Sequence, residues 1–283
     1  MSGKLYLCPT PIGNRGDMTP RALEVLGAVD LIAAEDTRTS YPLLRAFGID
    51  KPMTSYHKFN EQERTPELIE RLKNGAEIAL ITDAGMPAIS DPGQILVHSC
   101  HEAGIPVTAL PGPCAFVTAL ALSGFDSRRF RFEGFLPQDK DGKKEALERL
   151  ARADETVIFY EAPHRLEKTL AEMSRVAGER ACCCTRELSK KFEEVRFGTV
   201  AELGAYYREN EARGEFVILI AGISREIIER EKQAAWESLS LEEHMALYRE
   251  LPEKEAMKRV AAERGISKRE VYAALKTGRE DET

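Results

Sequence analysis

Residues 77–93 read EIALITDAGMPAISDPG: an apolar run, Ile78 to Ile81, that passes straight into a loop. The run is too short for a helix and has the length of a buried strand. The loop, residues 83–93, holds two Asp, two Gly and two Pro, and no Lys or Arg. After it QILVHSCHEAG (residues 94–104) returns to a helical pattern. A proline- and glycine-bearing loop between a strand and a helix is the usual seat of a ligand in layered α/β proteins.

The same alternation extends in both directions. Strands are expected at residues 4–8, 30–34, 77–82, 106–110, 130–134, 156–161, 181–185, 194–198 and 215–221. Thr19-Pro20 and Thr65-Pro66 each offer an N-cap followed by proline at the first helical position. Strands alternating with helices predict α/β layers and a largely parallel sheet, with ligands beyond the C-terminal strand ends. Pro111-Gly112-Pro113 and the small residues 115–124 suit a crossing between two α/β domains, residues 1–118 and 119–223. Strand patterns stop near Ser224, so residues 224–283 form a third, helical unit. Ser240-x-x-Glu243 and Ser267-x-x-Glu270 are capping boxes. Val260, Ala261, Gly265, Val271 and Leu275 have the spacing of a helix-turn-helix, with Gly265 at the turn.

Of the 283 residues, 43% are hydrophobic and 31% charged, which predicts a packed core rather than disorder. No apolar run approaches the roughly 20 residues needed to span a bilayer, and the N-terminus does not read as a signal peptide, so a cytoplasmic location is expected. Six Cys fit a reducing compartment. Cys182, Cys183 and Cys184 alternate across a strand and cannot share one metal; His98, Cys100 and His101 lack a fourth ligand. No metal is expected. The net charge of -7 argues against a whole-surface nucleic-acid binder. Locally, Arg128, Arg129, Arg131, Lys140, Lys143 and Lys144 outnumber Glu133, Asp139 and Asp141.

Several chemistries drop out. No two glycines are separated by one residue, which removes the dinucleotide fingerprint. P-loop, H-E-x-x-H and G-x-S-x-G patterns are absent as well. What remains are three proline-glycine loops at strand ends, residues 9–14, 83–93 and 111–115, none with a Lys or Arg. Such a pocket can bind hydroxyls, amines and an adenine edge but is poorly equipped for a pyrophosphate.

These loops resemble the tetrapyrrole methylase superfamily. The likeness narrows through TPIGN (residues 10–14), AAEDTR (33–38), SYH (55–57) with Asn60-Glu61, residues 83–93, FEGFLP (132–137), FYEAPHR (159–165), TREL (185–188) and GEFV (214–217). They are similar to the branch that methylates the ribose 2′-oxygen of a decoding-centre cytidine in 16S ribosomal RNA, over residues 4–222, and the helical tail is similar too. Met86, Ala88, Cys114 and Arg15-Gly16 depart from that pattern, where Thr, Gly, Ser and a Leu-containing pair are usual. The resemblance implies two α/β domains with S-adenosylmethionine between them, small-subunit rRNA in the 30S particle as partner, and a homodimer. It places Pro11, Asp83, Ala84, Gly85, Ser90, Asp91, Ala115, Phe116, Tyr160, Glu215, Phe216 and Val217 around the cofactor. A 2′-hydroxyl is a weak acid and gains from a base; the candidates are Glu35, Asp36, His57, Glu161 and His164. Arg21, Arg38, Arg128, Arg129, Arg131 and Arg165 are candidates for RNA contact. Two rivals remain: a corrin or porphyrin C-methyltransferase on the same fold, and a non-catalytic nucleic-acid-binding regulator using residues 253–275.

Overall fold

The computed structural model describes residues 2–223 and 239–280. The apolar run of the opening stretch is a strand, β4 (Ile78–Ile81), buried along its whole length. It pairs in parallel with β1 (Leu5–Leu7) and β2 (Leu31–Ala34). With β3 (Met53–Ser55) and β5 (Val107–Ala109) they form an all-parallel sheet of order β3-β2-β4-β1-β5. Alternate residues feed cores on both faces, which is why these strands read as unbroken apolar runs. Leu31, Ala33, Ile78 and Leu80 meet Leu68 and Leu72 of α3 (Glu61–Lys73) and Leu96 of α4 (Gln94–Glu102). Ile32, Ala34, Ala79 and Ile81 meet Leu26 of α1 (Pro20–Ala28) and Leu44 of α2 (Thr37–Ala46).

Thr19 caps α1 with Pro20 behind it, as expected. Thr65 does not start a helix. The helix α3 begins four residues earlier, and the Thr65 hydroxyl bonds back to the Glu61 carbonyl (2.6 Å) and to the buried Tyr56 hydroxyl (2.9 Å). Strand β3 was missed because three half-buried residues after Pro52 carry no apolar pattern.

The second sheet, order β6-β7-β10-β8-β9, contains β6 (Phe130–Phe135), β7 (Thr156–Glu161), β8 (Ala181–Arg186), β9 (Glu194–Thr199) and β10 (Phe216–Ile220). Here the expectation of a largely parallel sheet fails: β6 and β7 are parallel, and every other neighbouring pair is antiparallel. The cause is the short link at residues 187–193, which turns β9 back on β8. Strands joined through helices still run alike, but β10 enters between β7 and β8 in the opposite sense. One face packs on α6 (Lys140–Ala151), α7 (Pro163–Ala177) and α8 (Val200–Glu209). The other is covered by α5 (Ala115–Ser123), the predicted crossing segment, through Ala119 and Leu120. The expected 118/119 division therefore falls inside a helix that belongs with the second sheet. Cys182 and Cys184 enter one core, where their thiols interact, and Cys183 enters the other, so the three do not converge on one point. Cys100 lies in the first core, while His98 faces outward beside Glu102 (3.4 Å).

Residues 1–222 make one compact unit and 223–283 a second. In the second, α9 (Leu241–Ala246) and α11 (Lys268–Glu280) start from the two expected capping boxes. Helix α10 (Glu253–Arg264) ends at Gly265, whose φ of 66° is the left-handed turn the spacing called for. Met257, Val260, Ala261 and Val271 form its core. His244 is fully buried beside it, between the Glu263 carboxylate (3.0 Å) and the Arg264 guanidinium (3.0 Å). Among the described residues no helix is long and apolar enough to cross a membrane.

Candidate active site

The three proline-glycine loops leave β1, β4 and β5, which are neighbours in the sheet, so parallel pairing alone brings them to one edge. They are then tied together. Thr10 and Gly85 exchange two backbone hydrogen bonds (2.9 and 3.0 Å), and the buried Thr10 hydroxyl donates to the Thr82 carbonyl (3.0 Å). Gly85 has φ +84° and sits over Ile12 and the Pro113 carbonyl. A Cβ on Gly112 would lie 2.2 Å from the ring of Pro9, so the approach of the first and third loops requires glycine there.

Opposite them stand the C-terminal ends of β6, β7 and β8 and the start of β10, since antiparallel pairing sets Phe216 across from both Glu161 and Arg186. Strand β6 carries a bulge between Phe132 and Gly134. Gly134, at φ 68°, re-aims the strand so that Phe135 sits beside Tyr160. A cleft of about 540 Å³ lies between these ends, within the roughly 300–1,000 Å³ of small-molecule sites. Among the described residues no Lys or Arg lines it; Glu35, Asp83, Asp91, Glu161, Glu215 and His164 do.

The carboxylates differ in what they are free to do. Glu35 accepts from the Thr82 hydroxyl (2.5 Å) and the Asp83 amide (3.3 Å) through Oε2; its Oε1 has no hydrogen bond among the described residues. Asp91 is pushed up to about 7, first by burial and then by the charge of Glu35. Asp83 is raised for the same two reasons. Glu161 is buried and occupied: Oε1 accepts from the Ala162 amide (2.8 Å) and faces Arg165 Nε (3.2 Å), and Oε2 accepts from the Thr169 hydroxyl (2.6 Å). Lys190 holds Glu215 (2.8 Å). His164 is exposed in the first turn of α7, with no hydrogen bond or ion pair among the described residues.

Of the residues singled out in the sequence, Glu35, Asp83, Ala84, Gly85, Ser90, Asp91, Ala115, Tyr160, Glu161, His164, Glu215, Phe216 and Val217 line this cleft. Pro11 is buried behind it, and Ile12 lines it instead. Phe116 stacks on Phe132 (4.4 Å, 14°), and its amide donates to the Tyr160 hydroxyl (3.2 Å). Asp36 is spent on capping α2 and on Arg38 (2.7 Å), which hold its carboxyl down at about 2. His57 stands one strand further out and does not line the cleft. The arginines are mostly engaged: Arg128 with Asp126, Arg129 with Asp154, Arg131 with Glu133 and Glu155, and Arg165 with Glu161 and the Leu136 carbonyl. Arg21 is exposed with no ion pair among the described residues. Sequence reasoning did not place Thr82, Ile89, Phe135 and Leu188 in the cleft.

Three of the departures acquire a physical meaning. Met86 and Cys114 both line the cleft, and Cys114 opens α5 without a side-chain cap. Ala88 has φ 66°, a left-handed conformation in which glycine avoids the penalty borne by a side chain. Ala88→Gly is therefore expected to stabilise the protein by about 0.5–1 kcal/mol, after the entropy glycine adds to the unfolded chain. Urea unfolding of both proteins measures this; a lower midpoint for the variant would contradict the strain.

The two-sheet fold with its cleft defines a class. The family model of the Tetrapyrrole (Corrin/Porphyrin) Methylases matches residues 4–204. Solved structures of uroporphyrin-III C-methyltransferase from Thermus thermophilus share the fold. One has a TM-score of 0.55 at 20% identity, covering 77% of this chain and 94% of that one. Another, complexed with S-adenosyl homocysteine, has a TM-score of 0.56 at 16% identity, covering 77% and 97%. Much closer in sequence are proteins named ribosomal RNA small subunit methyltransferase I. That of Bacillus subtilis (strain 168) is 46% identical, over 96% of this chain and 94% of its own. That of Escherichia coli O157:H7 is 45% identical, over 95% and 93%. The chain belongs to the ribosomal RNA small subunit methyltransferase I family.

Proposed function

We propose that this protein transfers the methyl group of S-adenosylmethionine to the ribose 2′-oxygen of a cytidine in the decoding centre of 16S rRNA. The observation that carries this reading is the cleft's charge: among the described residues, carboxylates line it and no Lys or Arg does. That lining suits a sulfonium and an ammonium and does not suit a pyrophosphate. The backbone at residues 83–85 and Ala115 would hold the nucleoside part, with Asp83 and Asp91 near the positive charge. When bound, the cofactor supplies an activated methyl group. The protein's own part is to align the ribose for in-line attack and to receive its proton. Glu35 and His164 are the cleft candidates with acceptor capacity unspent; Glu161 braces the start of α7. The family further implies the assembled 30S subunit as substrate and a homodimer as the working form.

Incubation with labelled cofactor and either 30S subunits or a tetrapyrrole precursor tests the proposal. Label is expected in the rRNA; label only in the tetrapyrrole would establish carbon methylation instead.

A pH dependence follows from Asp91. A cation beside it favours its ionised form, so cofactor binding displaces a proton below about pH 7. Affinity for S-adenosylmethionine is expected to rise about tenfold from pH 5.5 to 7.5, with S-adenosylhomocysteine, whose sulfur is neutral, changing much less. Calorimetry across that range checks it: parallel profiles for the two ligands would put Asp91 beside the ammonium that both carry, and an S-adenosylmethionine affinity that stays flat across the range would contradict the role of Asp91. The same raised value makes the unliganded fold less stable as pH climbs from about 4 to about 7, because the folded state holds this proton more tightly than the unfolded chain does.

A further inference from the structure

Phe59 is 87% exposed, more than any other large hydrophobic residue described. It does not sit on a loose loop. The His57 amide donates to Asn60 Oδ1 (2.8 Å), and the Asn60 amide returns to the His57 carbonyl (2.9 Å). Asn60 Nδ2 holds the Ser55 carbonyl and hydroxyl (3.2 Å each). The Phe59 amide itself donates to His57 Nδ1 (3.3 Å), and the two rings meet edge to face at 6.2 Å. Burying a Phe is worth about 1.5–3 kcal/mol, so a ring held out by this many bonds forgoes stability in the isolated chain.

Its place is informative. The turn follows β3, and the Tyr56 amide donates to the Ala34 carbonyl (2.8 Å), the residue before Glu35. Neighbouring strands lie about 4.8 Å apart, so the turn stands at the same sheet edge as the cleft carboxylate, one strand outward. Lys58, which makes no ion pair among the described residues, places Nζ 5.3 Å from the Phe59 ring centre. Arg38, on the adjoining helix α2, has a side chain 90% exposed. Glu61 and Glu63 follow directly in α3, which makes the turn a poor phosphate clamp. What it offers is a fixed aromatic face with a cation beside it. That is the combination on which unstacked bases of single-stranded nucleic acid settle, and stacking tolerates nearby acids. A protein partner would want an apolar patch around the ring; the flanking Lys58, Asn60, Gln62 and Glu63 provide none.

We propose that Phe59 is a stacking platform for an unpaired base flanking the methylated nucleotide, and that His57 and Asn60 are positioning residues that hold its ring outward. This rests on the RNA reading of the cleft. Phe59→Ala is expected to raise KM for 30S subunits on the order of tenfold or more, with cofactor affinity and thermal midpoint unchanged. Phe59→Tyr and Phe59→Trp should restore KM, Phe59→Leu should not, and the Phe59→Trp fluorescence should be quenched on adding the RNA. A wild-type KM in Phe59→Ala, or Leu performing as well as Tyr, would overturn the stacking role while leaving the methylation reading standing. If the wild-type protein methylates no rRNA, both readings fall together.

Discussion

Asp83→Lys is expected to fold like the wild type and to lose at least about a hundredfold in methyl transfer. Asp83 is exposed at the cleft edge, so a longer side chain meets little steric resistance there, and Glu35 and Asp91 are at hand to receive the new charge. The loss is electrostatic. At an effective dielectric near 20, reversing one unit charge about 8 Å from any cation changes their interaction by about 4 kcal/mol. Binding measured against both forms of the cofactor separates charge from bulk. S-adenosylmethionine should weaken far more than S-adenosylhomocysteine, whereas equal losses would mean that the lysine merely obstructs the cleft.

The second large effect is on stability. Glu161→Ala leaves Arg165 Nε, the Thr169 hydroxyl and the Ala162 amide without their acceptor, the guanidinium keeping only the Leu136 carbonyl. Removing one partner of a buried ion pair costs about 3–5 kcal/mol, because the remaining charge is left uncompensated. The variant should unfold at a markedly lower urea concentration, and Glu161→Gln, which keeps one acceptor, should fall between. A variant that unfolds like wild type but has lost all activity would instead make Glu161 a catalytic group.

The cleft's carboxylates differ in what surrounds them, and that difference could not be read from the chain alone. The loops could be: residues 83–93 lack cations and a G-x-G spacing, and their place after an apolar run put them at a strand end. Parallel order then made three such loops converge. Side-chain direction was harder. Ile12, in the bend that follows β1, lines the cleft where Pro11 was expected. Phe135 reaches it because of a bulge at Gly134, which leaves no signature beyond a glycine within a strand pattern. The apparent basic surplus at residues 128–144 is balanced by acids from elsewhere. Asp126, Asp154, Glu155 and Glu172 reach the cations from flanking or distant elements. The strand reversal at residues 187–193 was hidden because the alternation of strands and helices does not report direction when one link lacks a helix.

The most direct test of the central claim is a ribose-methylation map of 16S rRNA from 30S subunits treated with this protein and S-adenosylmethionine, set against untreated subunits. One new 2′-O-methylated cytidine in the decoding centre is predicted. An unchanged ribose map, or a methyl group found on a base, would contradict it.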